Sequence, residues 1–268
     1  MPTVLAVMAH PDDIEITCAG TLALLARAGW RIHMATMTAG DLGSSTKSRA
    51  VISRTRRREA AAAAAIIGAG YTCLGFADLT ITYNEVTKRR VSGLVREVRP
   101  DLLITHAPVD YMVDHEETSR IAREAAFAAP IPNWRASPAV PGRRASIAAS
   151  KRPTARVPVV LTADPLDLVD HAGRRVSAPS VVDITPVIET KERMLAAHAS
   201  QREWLRAQHG EDEYLLWMRR IGRDRARDAG DPSVEYAEGF AMHRGHGYPT
   251  DDLLTPALGV GRVRHQGW

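Results

Sequence analysis

At 268 residues, with 45% hydrophobic and 25% charged side chains, the chain has the composition of a soluble globular protein and room for one large α/β domain or two small ones. It contains no apolar run of about 18 residues, so no transmembrane helix is expected, and its short N-terminal apolar run lacks a basic flank and reads as a strand rather than a signal peptide. Two cysteines, Cys18 and Cys73, make no disulfide framework and point to a reduced, cytoplasmic protein; a net charge of +4 with no nucleic-acid-binding motif gives no case for a nucleic-acid partner.

Thr3–Met8 predicts a buried strand, and Ile14–Ala28 a helix closed by Gly29. Trp30–Met37 predicts a second strand. A helix over Arg49–Ile67 ends at Gly68, and Tyr71–Gly75 forms a short strand. Asn84–Val98 is helical ahead of Pro100, Leu102–Thr105 is a buried strand, and His115–Ala128 is helical again. Residues 130–158 break this alternation with six prolines, the basic residues Arg135, Arg143, Arg144, Lys151, Arg152 and Arg156, and no acidic residue. They predict a long basic loop, either solvated or a lid suited to an acidic or phosphate-bearing substrate. Beyond it, Val157–Leu161, Val181–Ile184 and Tyr236–Met242 read as strands, while Lys191–Gln208 and Glu211–Arg227 read as amphipathic helices separated by Gly210. Strands alternating with helices predict an α/β fold, a Rossmann-like, mostly parallel sheet flanked by helices. One domain over 1–268 is expected, with a core at 3–128, the loop at 130–158, and 159–249 completing the fold.

Two motifs carry the chemistry. The first is His10-Pro11-Asp12-Asp13, directly after the first strand, where open α/β sheets bind ligands. Proline at 11 holds the preceding residue extended. A histidine and a carboxylate three residues on suit a borderline-soft metal, leaving the adjacent acid free for proton transfer. As isolated residues, Pro-Asp-Asp would serve equally as a helix-capping turn. The second motif follows the Leu102–Thr105 strand and runs from His106 to His115 through Asp110, Met112 and Asp114. Two parallel strands ending in such loops can bring His10, Asp13 and His115 together, the three-ligand form of a catalytic zinc site.

The first motif, with Ala19-Gly20-Thr21 after it, resembles the signature of the PIG-L/LmbE-like zinc-dependent de-N-acetylases, and the Asp114-His115 loop resembles their second signature. The resemblance implies His10, Asp13 and His115 as ligands of one Zn2+ per chain, with other divalent ions also possible. It implies Asp12 as general base and Asp114 as the group orienting an imidazole through its ring N–H. Zinc would activate a water to attack the amide carbonyl of an N-acylglucosamine-containing small molecule or glycoside, usually releasing acetate. A place in antibiotic tailoring is compatible with this, as is a homo-oligomer; no membrane partner is implied. Weaker matches are the Thr38-x-Gly40-Asp41-x-Gly43 loop, the Arg56-x-x-Glu59 helix and Asp78, implying substrate contacts at Arg56, Asp78 and Asp41. His198 with Lys191 resembles a helix of the family and reads as structural.

The chain departs from the family at Met112, where many members carry a histidine thought to stabilise the oxyanion. Methionine donates no hydrogen bond. His243 and His246, in a glycine-flanked loop, are the candidates to replace it. The same departure motivates a non-catalytic sugar- or metal-binding homologue as the alternative. A nucleotide-binding α/β protein is a weaker one, because no glycine-rich phosphate loop is present and histidine ligation disfavours magnesium.

Overall fold

Every residue of the first strand, β1 (Thr3–Met8), is buried, because both faces of the central sheet are covered. Val4, Ala6 and Met8 pack into one hydrophobic core, and Leu5 and Val7 into the core on the opposite face. These features belong to a computed structural model that describes residues 1–209 and 213–266. The other strands are β2 (Arg31–Thr38), β3 (Gly70–Phe76), β4 (Leu102–Thr105), β5 (Val159–Ala163), β6 (Ser180–Asp183), β7 (Ala237–Met242) and β8 (Val263–His265). They form one eight-stranded sheet in the order β3-β2-β1-β4-β5-β7-β6-β8. The first five strands run parallel, and β7, β6 and β8 extend the sheet antiparallel.

The chain leaves β1 toward β2 on one side, and β4 pairs with β1 on the other. This reversal of direction opens a crevice at the carboxyl ends of β1 and β4, the place where open α/β sheets bind ligands. Both motifs emerge there.

Two helices expected to be continuous are broken, each around a buried polar group. The first is α1 (Asp13–Thr17) followed by α2 (Ala19–Arg27), interrupted at Cys18. The break turns the N–H groups of Gly20 and Thr21 toward the Glu238 carboxylate, at 2.8 and 2.7 Å, so β7 supplies the anion at a helix N-terminus. Lys191 completes that group, donating to Glu238 at 2.5 Å and to the Ile16 carbonyl at 2.7 Å. The second break divides the predicted Lys191–Gln208 helix into α7 (Ile188–Ala196) and α8 (Ala199–His209). There Glu59, from α3 (Arg49–Ile66), accepts from Ser200 N–H and Oγ at 2.8 and 2.6 Å, and His198 is fully buried 3.4 Å from Glu15. The predicted Glu211–Arg227 helix is α9 (Glu213–Ala226) within the described residues; Gly210, Glu211 and Asp212 lie outside them.

The basic segment 130–158 is anchored rather than loose. It contains α6 (Arg144–Ser150) and packs on α4 (Glu85–Val98), at the end of α5 (Val113–Ala128). The buried Arg96 side chain of α4 donates to the carbonyls of Ala129, Ile131 and Ser150, satisfying groups a free loop would give to water. Trp134 donates to Ser92 at 3.0 Å. Gly93 sits against this segment so closely that a Cβ there would lie 1.7 Å from the Ser137 carbonyl oxygen. Gly93→Ala should therefore lower stability by about 2 kcal/mol despite the better helix propensity of alanine. A urea midpoint equal to or above that of the parent protein would show that the segment gives way. Sequence reasoning also missed β8 and α10 (Leu254–Leu258).

Candidate active site

The first motif turns sharply out of β1. Asp12 adopts φ 99°, a left-handed conformation that non-glycine residues seldom hold and that marks a backbone fixed by its surroundings. The turn places Asp12 and Asp13 side by side, both buried, with His10 beside them. From the neighbouring strand, His106 stacks on His115 with ring centroids 4.0 Å apart.

His10, Asp13 and His115 offer donor atoms that all lie within 4.8 Å of one another. His115 Nε2 is 3.5 Å from Asp13 Oδ2, and His10 Nδ1 is 3.4 Å from the same oxygen. The outward nitrogens are held by carboxylates: His115 Nδ1 lies 3.3 Å from Asp110, and His10 Nε2 lies 3.2 Å from Asp114. Asp114 is itself fixed by the Leu79 and Ile81 N–H groups. This carboxylate–imidazole arrangement is the usual backing of a metal ligand. His115 Nε2, buried and facing Asp13, makes no hydrogen bond among the described residues, as a nitrogen positioned for a cation would be. A single divalent ion fits these donors, and nitrogen plus carboxylate ligation suits zinc and its neighbours. His106, Asp110 and His115 form a second such group, but His106 Nε2 already accepts from Ala9 N–H at 3.0 Å.

The charges agree. Burial alone would lower the His10 pKa, but Asp114 and Asp13 more than reverse this and push it up to about 10. Burial opposes ionisation of Asp13, yet His115, His10 and His106 hold it well below the usual carboxylate range. His106, desolvated and repelled by His115, falls to about 4 and stays neutral.

Asp12 is engaged differently. Its Oδ2 accepts from Tyr214 at 2.5 Å and from Arg56 at 3.0 Å, and Arg56 also donates to the Pro11 carbonyl. Among the described residues no hydrogen bond reaches Oδ1, and Asp12 lines the pocket. Burial raises its pKa against the pull of Arg56. The Thr38–Gly43 loop closes over Arg56, and its glycines are required: a Cβ on Gly40, at φ 65°, would lie 2.3 Å from the guanidinium.

The pocket holds about 610 Å³. His10, Asp12, Asp13, Arg56 and Asp78 line it, and so does Met112. Asp41 sits behind, accepting from Asp78 N–H and Arg49, so it joins two loops rather than lining the cavity. His243 and His246 are not among its lining residues. His243 borders a separate recess with Pro108 and Arg123, edge-on to Tyr248, so no histidine from that loop stands where Met112 leaves a gap. No residue of 130–158 lines the pocket either, which removes that segment as a lid. One wall comes instead from Gln201, Trp204 and Leu205 of α8 and from Tyr214 and Trp217 of α9. Tyr214 and Glu238 were not singled out from the sequence, because each acts across a long separation that leaves no local signal; Asp110, named only as part of the second motif, backs His115 from within that motif.

Fold and site together define an α/β protein with a histidine–carboxylate centre at the sheet's reversal point. Residues 5–126 match the model of the PIG-L family, described as GlcNAc-PI de-N-acetylase. A curated relative, 4-oxalmesaconate hydratase of Pseudomonas putida, is 31% identical over 129 residues, covering 45% of this chain and 50% of the relative. The chain thus spans about half the length of the curated relative it matches. Among solved structures, the 4-carboxy-2-hydroxymuconate hydratase of P. putida superposes with a TM-score of 0.73 at 22% identity, covering 94% of this chain and 100% of the other. The N,N'-diacetylchitobiose deacetylase of Pyrococcus horikoshii gives 0.73 at 22% identity, over 94% and 88%. At these identities the structural likeness is one of fold.

Proposed function

We propose that this protein is a zinc-dependent hydrolase that removes an N-acyl group, acetyl in the simplest case, from an N-acylglucosamine-type small molecule. The observation that carries the reading is the His10/Asp13/His115 donor group beside a separate carboxylate, Asp12, that lines the same pocket as His10 and Asp13. When bound, the ion would lower the pKa of a water toward ~7 and polarise the acyl carbonyl. Asp110 and Asp114 fix the imidazoles that hold it. Tyr214 and Arg56 fix one oxygen of Asp12 and leave the other to accept the proton of the attacking water and return it to the leaving amine. The raised pKa of Asp12 suits a group that must both take and give a proton.

A hydratase is the second reading, motivated by the printed activities of the two Pseudomonas relatives. A polycarboxylate substrate needs cations, and Arg56, already bound to Asp12 and Pro11, is the only Lys or Arg among the described pocket-lining residues. This favours the uncharged amide.

The test is acetate release from a panel of N-acetylglucosaminyl compounds, run beside absorbance assays on unsaturated hydroxy diacids. Zinc-loaded parent protein should release acetate, and Asp12→Asn should lose about 10²–10⁴-fold while retaining its metal. Turnover of the diacids alone would replace the hydrolase with the hydratase. Bound metal with neither activity would favour the binding homologue.

A further inference from the structure

The pocket is polar around His10, Asp12, Asp13, Arg56 and Asp78, and most of its remaining lining is apolar. Trp204 and Leu205 of α8 and Trp217 of α9 line the cavity with Leu166, and the exposed Leu79 and Tyr111 line it at its rim. Leu79 and Tyr111 are each 65% exposed, so their side chains meet both the cavity and solvent. Leu79 is also held at φ 60°, a conformation costly for leucine, with its N–H tied to Asp114 at 2.7 Å. The strained backbone thus links the apolar rim to the carboxylate that backs His10.

The titratable groups in the cavity cluster at its floor. Asp12 is occupied by Tyr214 and Arg56, Asp13 and His10 belong to the candidate metal centre, and Asp78 accepts from Leu42 N–H. No charged side chain among the described residues lines the outer half. A cavity of about 610 Å³ lies in the range for drug-sized ligands, ~300–1,000 Å³, and exceeds the needs of one acetamido sugar.

We infer that the outer half of this pocket is an aryl subsite: the substrate carries an aromatic group beyond its scissile amide, seated between the α8–α9 wall and the Leu79–Tyr111 rim. This rests on the reading of the pocket as the substrate site and deepens it, adding the class of substituent. Two indoles and a phenol supply flat faces for stacking, and the leucines supply area for burial. Among the described residues that line this part, none would pair with an anionic substituent.

The test uses the zinc-loaded protein and matched ligand pairs in calorimetric titration. Phenyl N-acetyl-β-glucosaminide is compared with its methyl counterpart, and N-acetyl-4-phenylbutylamine, which has an amide but no sugar, with N-acetylmethylamine. Within each pair the aryl ligand should bind at least about tenfold tighter. Trp217→Ala should erase most of that difference, bringing each aryl ligand close to its methyl counterpart measured on the same variant. Leu166→Ala serves as the second variant should Trp217→Ala misfold. A preference in the sugar-free pair alone upholds the aryl subsite and overturns the glucosamine reading. Equal binding within both pairs, or a preference untouched in both variants, overturns the subsite whatever the acetate assay reports. Preference for an N-octanoyl over an N-acetyl sugar, without any aryl preference, would replace the aryl group with an alkyl chain.

Discussion

Lys191→Met should lower the unfolding free energy by about 3–5 kcal/mol, the cost of removing one partner from a buried ion pair. Lys191 and Glu238 are 2% and 3% exposed, so neither charge has water to fall back on. Lys191 bridges Glu238 and the Ile16 carbonyl, while Glu238 also accepts the N–H groups of Gly20 and Thr21. One variant therefore loosens the junction of α2, α7 and β7 and leaves a carboxylate with peptide donors alone. Against a typical domain stability of ~5–15 kcal/mol the loss is large. Urea denaturation should show a lower midpoint with an unchanged slope. Adding Glu238→Gln should restore part of the loss, because the uncompensated charge disappears with it. A single-variant cost below about 1 kcal/mol would mean that the pair is not the fastener described.

Asp13→Ala should abolish metal binding at micromolar zinc, together with activity on any substrate found. Asp13 Oδ2 lies within 3.5 Å of nitrogens from His10, His106 and His115, so its removal takes away the one carboxylate common to all three imidazoles. Asp110→Ala should act more mildly. It frees His115 Nδ1 without removing a ligand and should weaken metal affinity by ~10–100-fold. Metal content after dialysis, followed by competition with a chelator, separates the two. If Asp13→Ala retains stoichiometric zinc, the assignment of His10, Asp13 and His115 as the centre fails.

Much of the fold was legible because its signals are local. β1 and β4 are continuous apolar runs, α3 and α4 have clear ends, and the alternation of strand and helix predicts the parallel sheet the structure contains. His10, Asp12 and Asp13 stood out because they follow a strand directly. What escaped depends on distant partners. Nothing near Cys18 announces that Glu238, more than two hundred residues on, will interrupt a helix. The prolines and arginines of 130–158 resemble those of a free loop, because the anchor that orders them is Arg96 on another helix. Tyr214 reads as one more apolar position of an amphipathic helix until its hydroxyl is found on Asp12.

The site draws its parts from two stretches of chain with different duties. All the proposed metal ligands, their carboxylate supports and Asp12 fall within residues 5–126, the span of the family match, whereas Gln201, Trp204, Tyr214 and Trp217 come from beyond it. On the reading proposed here, an ancestral reaction centre can stay fixed while the later stretch drifts, changing which molecule is admitted without rebuilding the chemistry. Tyr214 is the exception that restrains such drift. It stands beyond the matched span yet holds the proposed base, so exchanges of that wall must keep a donor at its position or sacrifice turnover.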